Sequence, residues 1–458
     1  MENSKLIIQI LATLLSCLAA LLSLLVFIKL KWPAPTLWIL KLFSSALSPF
    51  FLLSGVLSVI VGVTIGSAFI SLIGMYNGLF FFIHIIRITR VHDVLNSFEQ
   101  AFGLNWENRI NVRRKKYFLP RRTIIKLPAV PIPRVGRNIS FATIPGTDRQ
   151  LLCDTWQPNA TVTPSLLAFI YLHGSAWTLL DKDVGTRPFF SHLAAQGHVV
   201  MDVAYRLSAE TDMMGMVNDV KRAIVWMKEN AHTYGVNPNT IVVGGGSAGG
   251  HLAMLAAYTA NNPQFTPNEL VGKDISVCGV VSLYGPTDLE AMYYHTNQHL
   301  TTRLIPGKPK KAVPQMPKWI VNRMGKAYNR FNFENFANAG TFAALFGGHP
   351  DECPEIYALF SPITHVDAHC PATILIQGEH DLMAPVNTTR ILHTRLMEKK
   401  VLTVMHILPQ TDHAFDLILP EISPSSHTAI YDVERFLALL IKNAVKPEVS
   451  KEEIEEKY

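Results

Sequence analysis

The chain has 458 residues, 49% of them hydrophobic, with 41 Lys and Arg against 35 Asp and Glu and a formal net charge of +6. This length admits one large domain plus extra elements. Five cysteines (Cys17, Cys153, Cys278, Cys353, Cys370) in no metal-type pair spacing argue against a disulfide scaffold or a zinc site and suit a reducing compartment.

The apolar residues are concentrated at the start. Residues 6–28 carry no charge and are long enough to span a bilayer, and so is each half of the uncharged run 42–86. The expected halves are 42–63 and 66–86, turning near Gly62–Gly66. The first run exceeds a typical signal-peptide core, and its single leading lysine is offset by Glu2. Lys29, Lys31 and Lys41 fall between the first and second runs; Arg87, Arg90 and a group from Arg109 to Lys126 follow the third. Three spans put both clusters on one side, which the positive-inside rule makes cytoplasmic. The basic group suits anionic headgroups better than a nucleic-acid groove.

Residues 91–139 read as a basic, proline-punctuated connector with a short amphipathic segment at its start. From about 140 to 445, short apolar runs alternate with helical ones. Strands are expected at Gln150–Trp156, Leu166–Leu172, His198–Ala204, Thr240–Gly244, Val277–Leu283, Thr373–Gln377 and Leu402–Leu408. Helices are expected near Pro188–Gln196, Met213–Tyr234, Ala248–Ala260, Thr388–Lys399 and Thr428–Asn443. Near-continuous apolar strands between helices predict an α/β fold with a mostly parallel sheet covered on both faces. Residues 290–350 break the rhythm and read as a lid-like insertion. A helix there would align Trp319, Ile320, Met324 and Tyr328 on one apolar face, with Lys318 and Lys326 off it. The tail 446–458 is charged and expected to fray.

The stretch Ile241–Met254 carries the strongest chemical signal. It reads strand, glycine-dense turn, helix, and Gly245-Gly246-Ser247-Ala248-Gly249 fits G-x-S-x-G. A serine on a sharp strand-to-helix turn needs small neighbours, and its hydroxyl is presented at a helix N-terminus. Serine alone is a poor nucleophile and needs a base held by a third group, in the chain order Ser, Asp or Glu, His. Asp381 follows the strand Thr373–Gln377, and His413 follows Leu402–Leu408. The expected roles are Ser247 nucleophile, His413 base and then acid, and Asp381 orienting the ring. Glu379 and Asp412 are rivals for the acid, although Asp412 is adjacent to His413 and poorly placed to reach its far nitrogen. Oxyanion donors are expected from the amides of Gly174 and Ser175, after the strand Leu166–Leu172, and of Ala248.

These motifs, in this order, resemble the α/β-hydrolase superfamily, nearest its hormone-sensitive-lipase-like and carboxylesterase branches. His173-Gly174-Ser175-Ala176-Trp177 stands where the family has H-G-G-G-[WF]. Ala204-Tyr205-Arg206-Leu207-Ser208-Ala209-Glu210 stands for D-Y-R-L-A-P-E, followed by Tyr284–Leu289, Gly378–Asp381 and His413. The resemblance covers about 140–443. Ser175-Ala176 replace two glycines, and the N-terminal runs lie outside the pattern. It implies a serine hydrolase of carboxylic esters with no cofactor and no metal, while the apolar runs, the basic group after them and the aromatic insertion favour a membrane-anchored enzyme and a lipid-like or apolar ester. An amidase or deacetylase on the same residues, or an inactive hydrolase-fold receptor or scaffold, are the other readings.

Overall fold

A computed structural model describes residues 2–31, 35–90, 97–208, 210–301 and 340–441. The N-terminal region is four helices: α1 (Glu2–Phe27), α2 (Pro35–Ala46), α3 (Ser48–Ile65) and α4 (Ala68–Thr89). Three of them, over Gln9–Phe27, Ser48–Ile65 and Ala68–Thr89, are long and apolar enough to cross a membrane. Leu15, Leu21, Val63 and Leu72 are each at least 65% exposed on their outer faces, which an aqueous surface would penalise. α3 and α4 pack backbone to backbone. A Cβ on Gly55 would lie 2.6 Å from Gly78 N, so only glycine permits the approach. The short α2 is not expected from the sequence, which places residues 35–41 in the loop between the first two runs and 42–46 in the second run.

After α5 (Ser97–Phe102), the eight strands of one sheet begin. They are β1 (Arg134–Thr143), β2 (Gln150–Gln157), β3 (Ala168–Leu172), β4 (Val199–Ala204), β5 (Ile241–Gly246), β6 (Gly279–Leu283), β7 (Ala372–Gly378) and β8 (Thr403–Leu408). Their spatial order is β1-β2-β4-β3-β5-β6-β7-β8. β1, β2 and β4 pair antiparallel, and the rest are parallel. β3 and β5 are buried at every position because helices cover both faces.

One face carries α6 (Arg187–Ala195) and the C-terminal helix (Pro424–Leu440), through Phe190, Leu193, Val433, Phe436 and Leu437. The other carries α7 (Met213–Glu229) and, beyond the short α8 (Ala231–Tyr234), α9 (Ala248–Tyr258), through Val217, Val220, Ile224, Leu252 and Leu255. α9 is buried on every side and accordingly apolar all round except for His251. Its ring is satisfied by Trp177 Nε1 at 3.2 Å and the Phe360 carbonyl at 2.8 Å.

The stretch read as a connector is docked on the sheet domain. Phe98, Phe102, Ile110, Phe118 and Leu119 are buried in the α6-side core, and β1 starts at Arg134, inside that stretch. Leu119 N donates to Glu434 at 2.8 Å, and Arg122 pairs with buried Asp432 at 2.8 Å, so this arginine of the basic group is engaged by protein. Lys41 likewise differs from its expected place among loop charges, being 1% exposed and held by the sheet domain.

Chain direction explains where a site forms. The connection leaving β3 goes to β4 on one side, and that leaving β5 goes to β6 on the other. Loops after adjacent strands β3 and β5 therefore diverge and open a crevice at their carboxyl ends.

Candidate active site

Ser247 directly follows β5 with φ 54° and ψ −123°, a conformation disfavoured for any residue but glycine. The neighbouring backbone holds it there. Ser247 N donates to the Leu283 carbonyl at 2.9 Å, and α9 starts at the next residue. The glycine on each side of the elbow is sterically required. A Cβ on Gly245 would meet the Leu172 carbonyl oxygen at 2.1 Å, and one on Gly249 would meet it at 1.9 Å.

The structure brings the three separated side chains into line. Ser247 Oγ lies 2.8 Å from His413 Nε2, and His413 Nδ1 lies 3.0 Å from both carboxylate oxygens of Asp381. Asp381 is fixed in turn. Oδ1 accepts from Met383 N at 2.9 Å and Ala384 N at 2.8 Å, and Oδ2 accepts from Gln377 Nε2 at 3.3 Å. The rivals face elsewhere. Glu379 accepts from Gln410 N at 3.2 Å, while Asp412 Oδ1 accepts from Leu382 N at 3.1 Å and His413 N at 2.8 Å. Burial pushes the Asp412 carboxyl up, against the lowering effect of Lys41.

The loop after β3 runs beside the serine. A Cβ on Gly174 would come 3.1 Å from Ser247 Cβ, so this backbone and the serine side chain are closely apposed. Ser175, Ala176 and Trp177 have φ of 136°, 50° and 60°. The two positions where this chain departs from the glycines of the resembled motif are thus ones where glycine would be at ease. Ser175 Oγ donates to the Leu179 carbonyl, which helps hold the turn. Ala248 is the first residue of α9, so its amide has no carbonyl one turn earlier to donate to. Gly174 and Ser175 line the cavity beside Ser247, and Ala248 directly follows Ser247 in the chain. His173 is buried, its pKa lowered by burial, and its ring stacks on Tyr205 at 4.5 Å.

A cavity of about 210 Å³ opens over Ser247 and His413. Its wall includes Leu179, Leu180, Val184, Met383, Leu417 and, from α2, Trp38. Sequence reasoning missed Trp38, because nothing in a linear reading joins it to residues beyond 170. It also missed the support given by Tyr284. That ring sits 4.7 Å from the His413 ring, has φ 43°, and donates its hydroxyl to Asp416. Burial raises the Asp416 carboxyl to about 6. His295, on α10 (Leu289–Thr301), reaches the Asp381 carbonyl at 3.2 Å. Trp319, Ile320, Met324, Tyr328, Lys318 and Lys326 lie outside the described residues.

The BD-FAE family model matches residues 153–396, more than half of the chain. The chain belongs to the BD-FAE family. As the order of strands and motifs indicates, it is an α/β-hydrolase of the hormone-sensitive-lipase-like kind. Among curated proteins, this BD-FAE chain is similar to two from Mycobacterium tuberculosis. It is 31% identical over 62% of its length to the "Probable carboxylic ester hydrolase LipM", covering 57% of that protein. To "Esterase LipC" it is 30% identical over 60% of its length, covering 59% of that protein. It therefore spans about three fifths of the length of these relatives. Among solved structures, a truncated carbohydrate esterase from gut microbiota superposes with TM-score 0.50 at 21% identity, over 69% of this chain and 99% of that one. That likeness concerns the fold.

Proposed function

We propose that this BD-FAE member is a membrane-anchored serine hydrolase of apolar, lipid-like carboxylic esters. The observation that carries the reading is the Ser247–His413–Asp381 line, at 2.8 and 3.0 Å, opening into an apolar cavity. In the proposed reaction His413 Nε2 takes the Ser247 proton as Oγ attacks the ester carbonyl, and Asp381 stabilises the imidazolium. The amides of Gly174, Ser175 and Ala248 receive the oxyanion. The protonated His413 then gives its proton to the leaving alcohol. Water, deprotonated by the same ring, releases the acid from the acyl-serine. The ester-hydrolase names of the curated relatives support the reaction class.

Substrate class rests on the cavity. At about 210 Å³ it is below the ~300–1,000 Å³ of drug-sized sites, so it suits one arm of an ester rather than a whole lipid. Its wall is apolar, and Trp38 of that wall sits on the helix joining two membrane-length helices. Carrying an apolar chain through water costs about 0.8 kcal/mol per methylene, which favours an enzyme anchored where the substrate dissolves. The lysines and arginines flanking the helices favour a cytoplasmic catalytic domain. Asn138-Ile139-Ser140 and Asn159-Ala160-Thr161 are formal glycosylation sequons that would matter only in a luminal domain, and the side chains of both asparagines are hydrogen-bonded within the protein. Lys182 Nζ donates to Asn138 Oδ1 at 2.8 Å, and Asn159 Nδ2 donates to the Ile132 carbonyl at 3.0 Å.

A serine-directed fluorophosphonate probe and a panel of esters and amides of increasing acyl length test the reading together. Wild type is expected to be labelled and to prefer longer esters over amides, and Ser247→Ala to lose labelling and turnover while staying folded. Labelling of Ser247→Ala at the wild-type level would falsify the assignment.

A further inference from the structure

We infer that Lys41 is a positioning residue for the catalytic histidine, and that through it the N-terminal helices form part of the active site. The inference rests on the Ser247–His413–Asp381 reading above. Lys41 is on α2, between α1 and α3, and is 1% exposed. An ammonium has three donors and no acceptor. Here it meets three groups: the Ile28 carbonyl just past the end of α1 at 2.8 Å, His380 Nδ1 at 3.0 Å and Asp412 Oδ2 at 3.3 Å. The last two lie on the loops after β7 and β8 that carry Asp381 and His413. Burial, reinforced by the Lys41 charge, pushes His380 down to about 3, so its ring is neutral and accepts at Nδ1.

Asp412 transmits the contact. Its Oδ1 accepts from the amides of Leu382 and His413, so one carboxylate ties the residue after the acid to the base itself. Beyond the 3.3 Å ion pair with Lys41, its Oδ2 meets no hydrogen-bond donor among the described residues, so Lys41 is the charge that offsets it. A second grip lies one step along the same loop. Gln410 has φ 57°, and its Oε1 meets His84 Nδ1 of α4 at 3.2 Å. The other nitrogen of His84 meets Ser45 Oγ of α2 at 2.9 Å. Helices α2 and α4 thus hold the segment immediately before His413 at two points.

Stability alone does not call for such a device. A buried ion pair is often no better than apolar residues of the same volume. What the pair adds is direction, since a carboxylate with an ammonium on one oxygen keeps the other aimed at two amides. Misplacing a reacting group by about 1 Å costs about 100-fold in rate. An enzyme held this way is fully assembled only when α1, α2 and α4 are seated against it.

The test uses the full chain in detergent micelles, with kcat expressed per site titrated by the fluorophosphonate probe. Lys41→Met is expected to lower kcat per titrated site by about 10- to 100-fold for a short ester, with KM changed by less than about threefold. Lys41→Met/Asp412→Asn is expected to recover most of that loss, because the neutral amide keeps its oxygen on the two backbone N–H groups and leaves no bare charge. A purely structural lysine would lower the melting temperature and the number of titrated sites and leave kcat per site at the wild-type value; that result overturns the inference. Should Lys41→Met fail to fold, Asp412→Asn alone keeps the shape and is expected to lower kcat per site about tenfold, and an unchanged value overturns the inference equally. Wild type that takes no label at Ser247 removes the underlying reading instead, so the two failures are distinguishable.

Discussion

Replacing Asp381 by asparagine changes one atom, and the structure dictates which way the new amide must turn. At the Oδ1 position the side chain faces two backbone donors, Met383 N at 2.9 Å and Ala384 N at 2.8 Å. At the Oδ2 position it faces one, Gln377 Nε2 at 3.3 Å. The amide oxygen therefore takes the Oδ1 place, since an NH₂ there would oppose two donors. The NH₂ is left at the Oδ2 place, 3.0 Å from His413 Nδ1. Nδ1 lies equally close, at 3.0 Å, to the amide oxygen at the Oδ1 place, so it competes between donating to that oxygen and accepting from the NH₂, and in the accepting state the ring proton moves to Nε2. That nitrogen then donates to Ser247 Oγ, 2.8 Å away, and no longer takes its proton. A base in the wrong tautomer costs roughly 10³- to 10⁴-fold in kcat. Steady-state hydrolysis of a short ester and the rate of fluorophosphonate labelling should fall together, with KM and melting temperature little changed. Asp412→Asn, which leaves the Asp381–His413 contact intact, should be far milder. Should Asp381→Asn keep more than about a tenth of wild-type kcat while Asp412→Asn falls further, the acid has been misassigned.

Ala176 has φ 50°, a conformation that costs a non-glycine residue about 1–2 kcal/mol, whereas exchanging an ordinary alanine for glycine destabilises by about 0.5–1 kcal/mol. Ala176→Gly is thus expected to be neutral or to stabilise by up to about 1 kcal/mol, read as an unchanged or raised melting temperature; a clear drop would show that the turn is not strained. Asp416 is raised from 3.8 to about 6 by burial, so its contribution to stability is fully present below pH 4 and is lost as pH rises through 6. Asp416→Asn does not titrate there, so its melting temperature should gain on wild type between pH 4 and 6 and hold that difference above. A difference that shrinks over that interval contradicts the direction of the shift.

Much of this fold is legible in the sequence because its central strands are. β3 and β5 are apolar at nearly every position and lie between helices, which only a sheet covered on both faces explains. The edge strand β1 was not legible. Its residues, RVGRNISFAT, are mostly exposed and include two shifts of register, so neither continuous hydrophobicity nor clean alternation marks it. The order Ser247, Asp381, His413 is a sequence property, and the residues it names meet at hydrogen-bond distance. In the sequence, the choice of Asp381 over Asp412 rests on its place after Thr373–Gln377, on the Gly378–Asp381 stretch of the resembled family and on the adjacency of Asp412 to His413. The structure supplies the reason in where each carboxylate is already committed, Asp412 to the amides of Leu382 and His413.

The role of the N-terminal helices was hidden for a different reason. Hydropathy measures how a segment partitions into a membrane and is silent about what its ends touch. Lys41, Trp38 and His84 each look ordinary by that measure: a flanking charge, an interfacial aromatic, a polar residue near the end of an apolar run. In the fold the lysine is 1% exposed beside the His413 loop, the tryptophan lines the cavity over Ser247, and the histidine is fully buried against Gln410. Each contact joins residues more than 130 positions apart, and no local pattern encodes such a pair. A tether chosen only to keep an enzyme near a bilayer would need none of them. A charge buried at the junction costs several kcal/mol in desolvation before its partners offset it. On the proposed reading, a sequence with Lys41 there has an arrangement in which the helices that would seat the protein in a membrane also fix the base of its proposed chemistry.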